Sequence, residues 1–331
     1  MDFLIRSEIC KMGFRVFSFF FLFSQAKLKG IMFKTPILLI LYNRIEETHN
    51  LFQIIRKIKP EKLYVAADGA NRNIQIDYQT CLRTRSIIMP EWKCETKFLF
   101  HDEHIGRSKN VHQAVSWMFQ YEEEGIILFD DTMPNIDFFH YCEQLLEKYR
   151  DVPEIMHIGG NYLERRKKYL KNSYHYTAYA FIWGFATWRS AWQGFGLKIK
   201  DNSDELFNAT IDKYVNNPFE KIFCHRIYNT LRKHNLDYWE YQYNFHIWSH
   251  NGLCISPNVN LVTNVGFKKR KRRIRKLMRE TAPILPLNHP ETIERNKRAD
   301  AYTFKKVYKR RLARIFGDWF NELILGQEKK L

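Results

Sequence analysis

A chain of 331 residues can bury a large core, and 45% hydrophobic with 16% aromatic content excludes a disordered or fibrous protein. The 53 Lys and Arg outnumber the 36 Asp and Glu, leaving a formal net charge of +17 that directs attention to anionic partners: phosphorylated ligands, anionic lipid or nucleic acid. Six cysteines (Cys10, Cys81, Cys94, Cys142, Cys224 and Cys254) lack metal-site or redox spacing, which fits free thiols in a reducing compartment.

In chain order, Phe14 to Phe23 is apolar, follows Lys11 and Arg15 and leads into SQAK, loosely like a short signal peptide. It is too short to span a bilayer. A start at Met32 is favoured instead, because MFKTPILLILYNR runs directly into a first strand; 1–31 is then an N-terminal extension. No other segment reaches transmembrane length, so contact with a membrane is expected only as peripheral attachment. TPILLILYNR, KLYVAADG, TKFLFHD and GIILFDD read as short buried strands. Between them, helical spacing covers Glu46 to Ile58, Tyr78 to Ile88 and Ser108 to Gln120. This alternation predicts an α/β fold with a mostly parallel central sheet flanked by helices. EIMHIGG extends the core. After Gly160 the pattern loosens into the aromatic HYTAYAFIWGFATWRSAW, then helices around Phe219 to His234 and Trp239 to Ser249, then a strand-like LCISPNVNLVTNVGF.

There is no GxGxxG after the first strand, no GxxxxGK[ST] loop, no GxSxG elbow and no HExxH helix, which argues against dinucleotide dehydrogenases, P-loop NTPases, α/β-hydrolases and zincins. In open α/β sheets, ligands gather at the carboxyl ends of the strands. Three such rims carry groups suited to a nucleotide: Asn43 and Arg44 after the first strand, Asp68 and Gly69 after the second, Asp130 and Asp131 after the fourth. Two carboxylates at a strand end can hold a divalent cation and the diphosphate it bridges. The competing reading is a helix cap, since Asp131, Thr132 and Asn135 precede a helix expected from about Asp137. Arg107 and Lys109, at a helix start, suit a phosphate or plain solvent exposure. Trp183, Trp188 and Trp192 suit sugar stacking or, more commonly, the core. His289 is a lone loop histidine.

The succession ILLILYNR, VAADG, HIGRSKNVHQAVSWMF, EEEGIILFDDTMPNIDFFHYCEQLL, FIWGFATWRSAW, YWEYQYNFHIWSHNGLCISPNVNLVTNVGF and PLNHPETI resembles the bacterial nucleotide-diphospho-sugar transferases of GT-A type, and more distantly N-acetylglucosaminyltransferase I. The resemblance covers roughly Thr35 to Thr303. It implies a GT-A domain over 32–267, with a Rossmann-like nucleotide half and an acceptor-side half, completed or followed by a basic helical segment over 268–331. The implied cofactors are Mn²⁺ (or Mg²⁺) and a nucleotide diphosphate sugar as donor; the implied partner is a glycan or glycolipid acceptor. By the same resemblance Asp68 contacts the nucleoside, Arg44 and Asn43 lie near the nucleotide or its diphosphate, Asp130 is near ribose and Asp131 touches the metal. Phe129 stands where the family's Glu-Asp-Asp triplet has its first acid. Glu240, in YWEYQ, stands where the family carries its catalytic acid, which implies an inverting transfer with Glu240 as base. A solvated helix residue is the alternative for Glu240.

From Lys268 to Arg279 the chain is strongly basic, and Phe304 to Phe320 alternates apolar and basic residues as an interfacial helix does. Both suit a cytoplasmic enzyme held at the inner face of the membrane. A non-catalytic relative of the family, or a protein that binds nucleic acid or an anionic surface through its basic C-terminal half, is the alternative; no nucleic-acid recognition module supports specific binding.

Overall fold

The structure is a computed structural model that describes residues 32–162, 171–199, 204–215, 217–234, 238–266 and 281–305. The chain divides into Met1–Lys34 and Thr35–Leu331, and every strand and helix among the described residues belongs to the second unit. The N-terminal extension, the basic run from Lys268 to Arg279 and nearly all of the Phe304 to Phe320 segment lie outside the described residues.

The first strand, β1 (Ile37–Leu41), is wholly apolar and buried along its length, as a strand covered on both faces must be. It feeds α1 (Ile45–Ile58), which buries Leu51, Phe52 and Ile55 and complements its dipole with Glu46 and Glu47 at the start and Arg56 and Lys57 at the end. Then come β2 (Lys62–Ala67), α2 (Asp77–Arg85), β3 (Glu95–Phe100), α3 (Arg107–Met118) and β4 (Glu124–Phe129). β1 pairs in parallel with both β2 and β4, and β2 with β3, so the carboxyl ends of all four strands share one rim.

Beyond β4 lie β5 (Thr132–Pro134), α4 (Ile136–Tyr149), β6 (Ile155–Gly159), β7 (Tyr174–Thr177), β8 (Phe185–Trp188) and α5 (Arg189–Trp192). They are followed by α6 (Asp204–Tyr214), α7 (Pro218–His234), α8 (Trp239–Ser249), β9 (Leu253–Pro257), β10 (Val262–Asn264) and α9 (Lys297–Thr303). The main sheet has the order β3-β2-β1-β4-β8-β6-β9-β7. The expected α/β architecture, a large central sheet flanked by helices, is the one observed. Its second half departs from the simple alternation: β8 runs antiparallel to β4 and β6, and β7 antiparallel to β9.

The aromatic stretch that lacks a strand pattern supplies two strands, β7 and β8. Its periodicity is hidden because Trp183, Phe185, Trp188 and Trp192 are all buried, so no solvent face breaks the apolar run. These tryptophans belong to the core: Trp192 packs on Phe195 and Tyr243, and its indole N–H donates to Ser116 Oγ at 3.0 Å. The single strand expected from Leu253 is two. β10 leaves the main sheet to pair antiparallel with β5, and the Val265 N–H that follows it donates to the Asp131 carbonyl at 2.8 Å.

α6, α7 and α8 close a second core around Phe207, Ile211, Tyr214, Cys224, Tyr228, Leu231, Phe245 and Trp248. Tyr214 stacks on Trp248 with ring centroids 5.3 Å apart. The C-terminal part of the described chain is tied to this half by Asp300, which accepts from Thr177 Oγ1, the Ala178 N–H and Arg295. His289 sits beside β7, the edge strand of the main sheet, where its Nδ1 meets Tyr174 Oη at 2.8 Å. Among the described residues no helix is long and apolar enough to cross a membrane.

Candidate functional site at the carboxyl rim

The turn after β4 is held by one hydroxyl. Thr132 Oγ1 accepts from the Phe129 N–H (3.0 Å) and donates to the Phe129 carbonyl (2.7 Å), which presents Asp130 and Asp131 at its tip. The cap of α4 is Asn135, whose Oδ1 accepts from the Phe138 N–H at 3.0 Å. Neither aspartate is spent on capping.

Both aspartates turn instead toward Arg44, at the end of β1. Arg44 Nη1 donates to Asp130 Oδ1 at 2.8 Å and lies 2.7 Å from Asp131 Oδ2; the Tyr42 N–H donates to Asp130 Oδ2 at 3.1 Å. Asp130 is buried. Burial pushes its carboxyl up to about 6 against the pull of Arg44, with Asp131 adding to the rise. For Arg44 burial works the other way, but the two carboxylates outweigh it and hold the guanidinium above its ordinary value.

A third carboxylate knits the rim. Asp77, almost fully buried at the start of α2, accepts from Tyr42 Oη (2.5 Å), Asn43 Nδ2 (2.6 Å) and the Asn71 N–H (2.6 Å). Burial raises its pKa, yet these hydrogen bonds prevail and hold it below the usual carboxylate value. Asn43, expected near the nucleotide, is thus oriented by Asp77.

At the end of β2, Asp68 accepts from four donors: the N–H groups of Gly69 (2.9 Å), Ile105 (2.9 Å) and Gly106 (3.2 Å), and His104 Nδ1 (2.9 Å). It thereby fixes the loop that enters α3. Gly69 is required there because a Cβ would sit 2.2 Å from the Glu103 carbonyl carbon. Arg107 and Lys109 open α3 from this loop, with no acidic residue in the first turn, and both are exposed. The His104 ring faces that of Tyr42 at 5.3 Å, which links the β1 and β2 rims.

Glu240 lies half-buried in the first turn of α8. Its neighbour Trp239 packs on Phe129 with centroids 6.2 Å apart, so the start of α8 abuts the end of β4 just before the aspartate pair.

Whether these residues fit a divalent cation can be judged from their donors. Asp131 Oδ2 would lie 2.5 Å from a Cβ at Gly266, and Asn264 Oδ1, buried without a hydrogen-bond donor, 3.3 Å from the same point; both are hard oxygens. The obstacle is Arg44: one guanidinium nitrogen lies 2.8 Å from Asp130 Oδ1 and 2.7 Å from Asp131 Oδ2, and Phe129 offers no side-chain oxygen to replace them. As arranged, the site does not fit a divalent cation.

The carboxyl rim therefore carries Asn43, Arg44, Asp130 and Asp131 on one side and Asp68, Gly69 and the start of α3 on another; Glu240 is placed only through its neighbour Trp239, which packs on Phe129. Tyr42, Asp77, His104 and Asn264 carry no motif that singles them out in the sequence. Asp77 does sit one residue before a predicted helix, but such a position ordinarily signals only a cap.

Asp130 and a second buried group titrate across the same window with opposite signs. His157, wholly buried in β6, is pushed down to about 4 by burial, against the hydrogen bond at 3.1 Å to the Phe181 carbonyl. Its stability contribution is present above its unfolded value of 6.5 and is lost as pH falls toward 4, by about 3 kcal/mol. Asp130, raised from 3.8 to about 6, contributes stability at low pH that is lost as pH rises through 6. His175 and His289, also pushed down by burial, act with the same sign as His157. In urea unfolding from pH 4 to 7, His157→Gln should therefore gain less stability with rising pH than the parent protein, and Asp130→Asn should gain more.

No family model and no curated protein matches the chain. Solved structures similar to it include 4-diphosphocytidyl-2C-methyl-D-erythritol synthase from Anaerococcus prevotii DSM 20548 (7% identity, 57% of this chain and 83% of that one, TM-score 0.31). Others are an apo UDP-glucose pyrophosphorylase (9% identity, 67% and 90%, TM-score 0.33) and apo mouse xyloside xylosyltransferase 1 (10% identity, 65% and 81%, TM-score 0.32). At these TM-scores the likenesses do not themselves establish a shared fold; strand order and register define the architecture of this chain.

Proposed function

We propose that this protein is a glycosyltransferase of GT-A type that moves a sugar from a nucleotide diphosphate sugar to a hydroxyl of a glycan or glycolipid acceptor, with inversion. The observation that carries the reading is the meeting of Arg44, Asp130 and Asp131 at the carboxyl ends of adjacent parallel strands, where α/β sheets bind nucleotides. A cluster of this kind, oriented by Asp77 and Tyr42, is costly to hold at a rim unless a ligand uses it.

In this reading the nucleoside lies against the Asn43 and Asp68–Gly69 rims. Asp68 acts chiefly by shaping the loop that leads to α3, since four protein donors already engage its oxygens. The diphosphate lies near Arg44, with Arg107 and Lys109 adding positive charge at a helix N-terminus. Asp130 and Asp131 aim the guanidinium. As the glycosidic bond to the diphosphate breaks, negative charge grows on the leaving oxygen, and pre-placed cations lower the barrier without reorganising. Glu240 accepts the proton of the attacking acceptor hydroxyl. The basic segments beyond Gly266 are assigned to peripheral attachment at an anionic membrane, where a lipid-linked acceptor would be met.

Thermal unfolding against a panel of nucleoside diphosphates and their sugars tests the binding half of the proposal. At least one should raise the melting temperature, and Arg107→Ala with Lys109→Ala should weaken its binding by about tenfold. A panel with no effect on the parent protein would count against the nucleotide reading.

A further inference from the structure

We propose that Arg44 is the resident cation of this rim, so that the donor diphosphate is held on a protein guanidinium and needs no divalent metal. The inference rests on the nucleotide-sugar reading and departs from the Mn²⁺ dependence that the sequence resemblance implies. A single atom, Arg44 Nη1, lies 2.8 Å from Asp130 Oδ1 and 2.7 Å from Asp131 Oδ2, so a cation already stands between the two carboxylates and against the Asp131 oxygen that a divalent ion would use. The second oxygen of Asp130 is already used by the Tyr42 N–H at 3.1 Å. The residue before the pair is Phe129, whose ring is packed against Trp239 and offers no ligand.

A cation entering between the aspartates would face the guanidinium across a partly buried space, where like charges repel strongly. It binds only if Arg44 leaves. What Arg44 keeps free suits a phosphate: Nε and Nη2 have no acceptor among the described residues, its side chain is 41% exposed, and the planar fork matches phosphate oxygens. The two carboxylates hold that fork at the rim.

The first measurement is Mn²⁺ alone, titrated by electron paramagnetic resonance against the parent protein and Arg44→Met. Freed of the guanidinium, the aspartates should bind Mn²⁺ at least about tenfold more tightly in Arg44→Met, and Asp131→Asn in that background should abolish the gain. The second measurement is the affinity for UDP in EDTA and in Mn²⁺. The parent protein should differ by less than about twofold between the two, whereas Arg44→Met should lose UDP in EDTA. Parent protein that binds Mn²⁺ as tightly as Arg44→Met, or that binds UDP only with Mn²⁺, overturns the proposal. Should Arg44→Met fail to fold, Arg44→Lys keeps the charge without the fork, and the titrations of the parent protein still decide. If neither UDP nor any other nucleoside diphosphate binds, the nucleotide reading fails by itself, and the Mn²⁺ comparison continues to judge Arg44.

Discussion

Replacing Glu240 by Gln is expected to slow sugar transfer by at least about 100-fold at saturating substrates, while donor affinity changes by less than about twofold. The amide keeps the shape and hydrogen-bonding length of the carboxylate but cannot take a proton. Because deprotonation of the acceptor hydroxyl matters in the transition state and little in the bound ground state, the loss falls on the rate. An acid that merely complements the first turn of α8 would behave differently: its removal costs about 0.5 kcal/mol of stability and leaves the rate unchanged. Transfer kinetics alongside urea unfolding separate the two roles. A transfer rate equal to the parent's would move the base to another residue.

Asp77→Ala is expected to destabilise the protein by about 3 kcal/mol and to weaken nucleotide binding with it. The carboxylate accepts three hydrogen bonds within an almost fully buried setting, and truncation leaves the Tyr42 hydroxyl, the Asn43 amide and the Asn71 N–H without their acceptor. Two of those donors belong to the β1 rim that carries Arg44. The damage therefore spreads to the site. Asp77→Asn keeps one acceptor oxygen and should cost about half as much. Chemical denaturation and UDP titration of both variants check the pairing of the two effects; unaltered stability in Asp77→Ala would show that the rim is held by other contacts.

β1 to β4 and α1 to α3 are legible in the sequence because each strand is a short apolar run ended by polar rim residues, and the helices between them carry apolar residues at helical spacing. The parallel half also places Asn43, Arg44, Asp68 and Asp130 at one end, since residues that follow parallel strands share a rim. Register is a different matter. That Arg44 reaches both Asp130 and Asp131, across 86 residues in the case of Asp130, is a property of side-chain reach and of the Thr132-held turn, to which no local period corresponds. β7 and β8 are hidden because the aromatic residues from Trp183 to Trp192 are buried and leave no alternation to read. β10 merges with β9 in the sequence because the connecting residues Asn258 to Leu261 carry no Gly or Asp-Gly turn signal. Asp77 escapes notice because a buried acceptor of three donors and an ordinary helix-start aspartate look alike in one dimension.

If the rim built on Arg44, Asp130 and Asp131 binds and cleaves a nucleotide diphosphate sugar, the full chain must release nucleoside diphosphate from at least one member of a panel of such sugars. Chromatography of the reaction products measures that release. Slow hydrolysis of at least one donor is expected without acceptor, undiminished by EDTA and lowered at least about tenfold in Arg44→Met. A folded parent protein that binds and hydrolyses none of the donors, with or without Mn²⁺, would contradict the assignment of this rim.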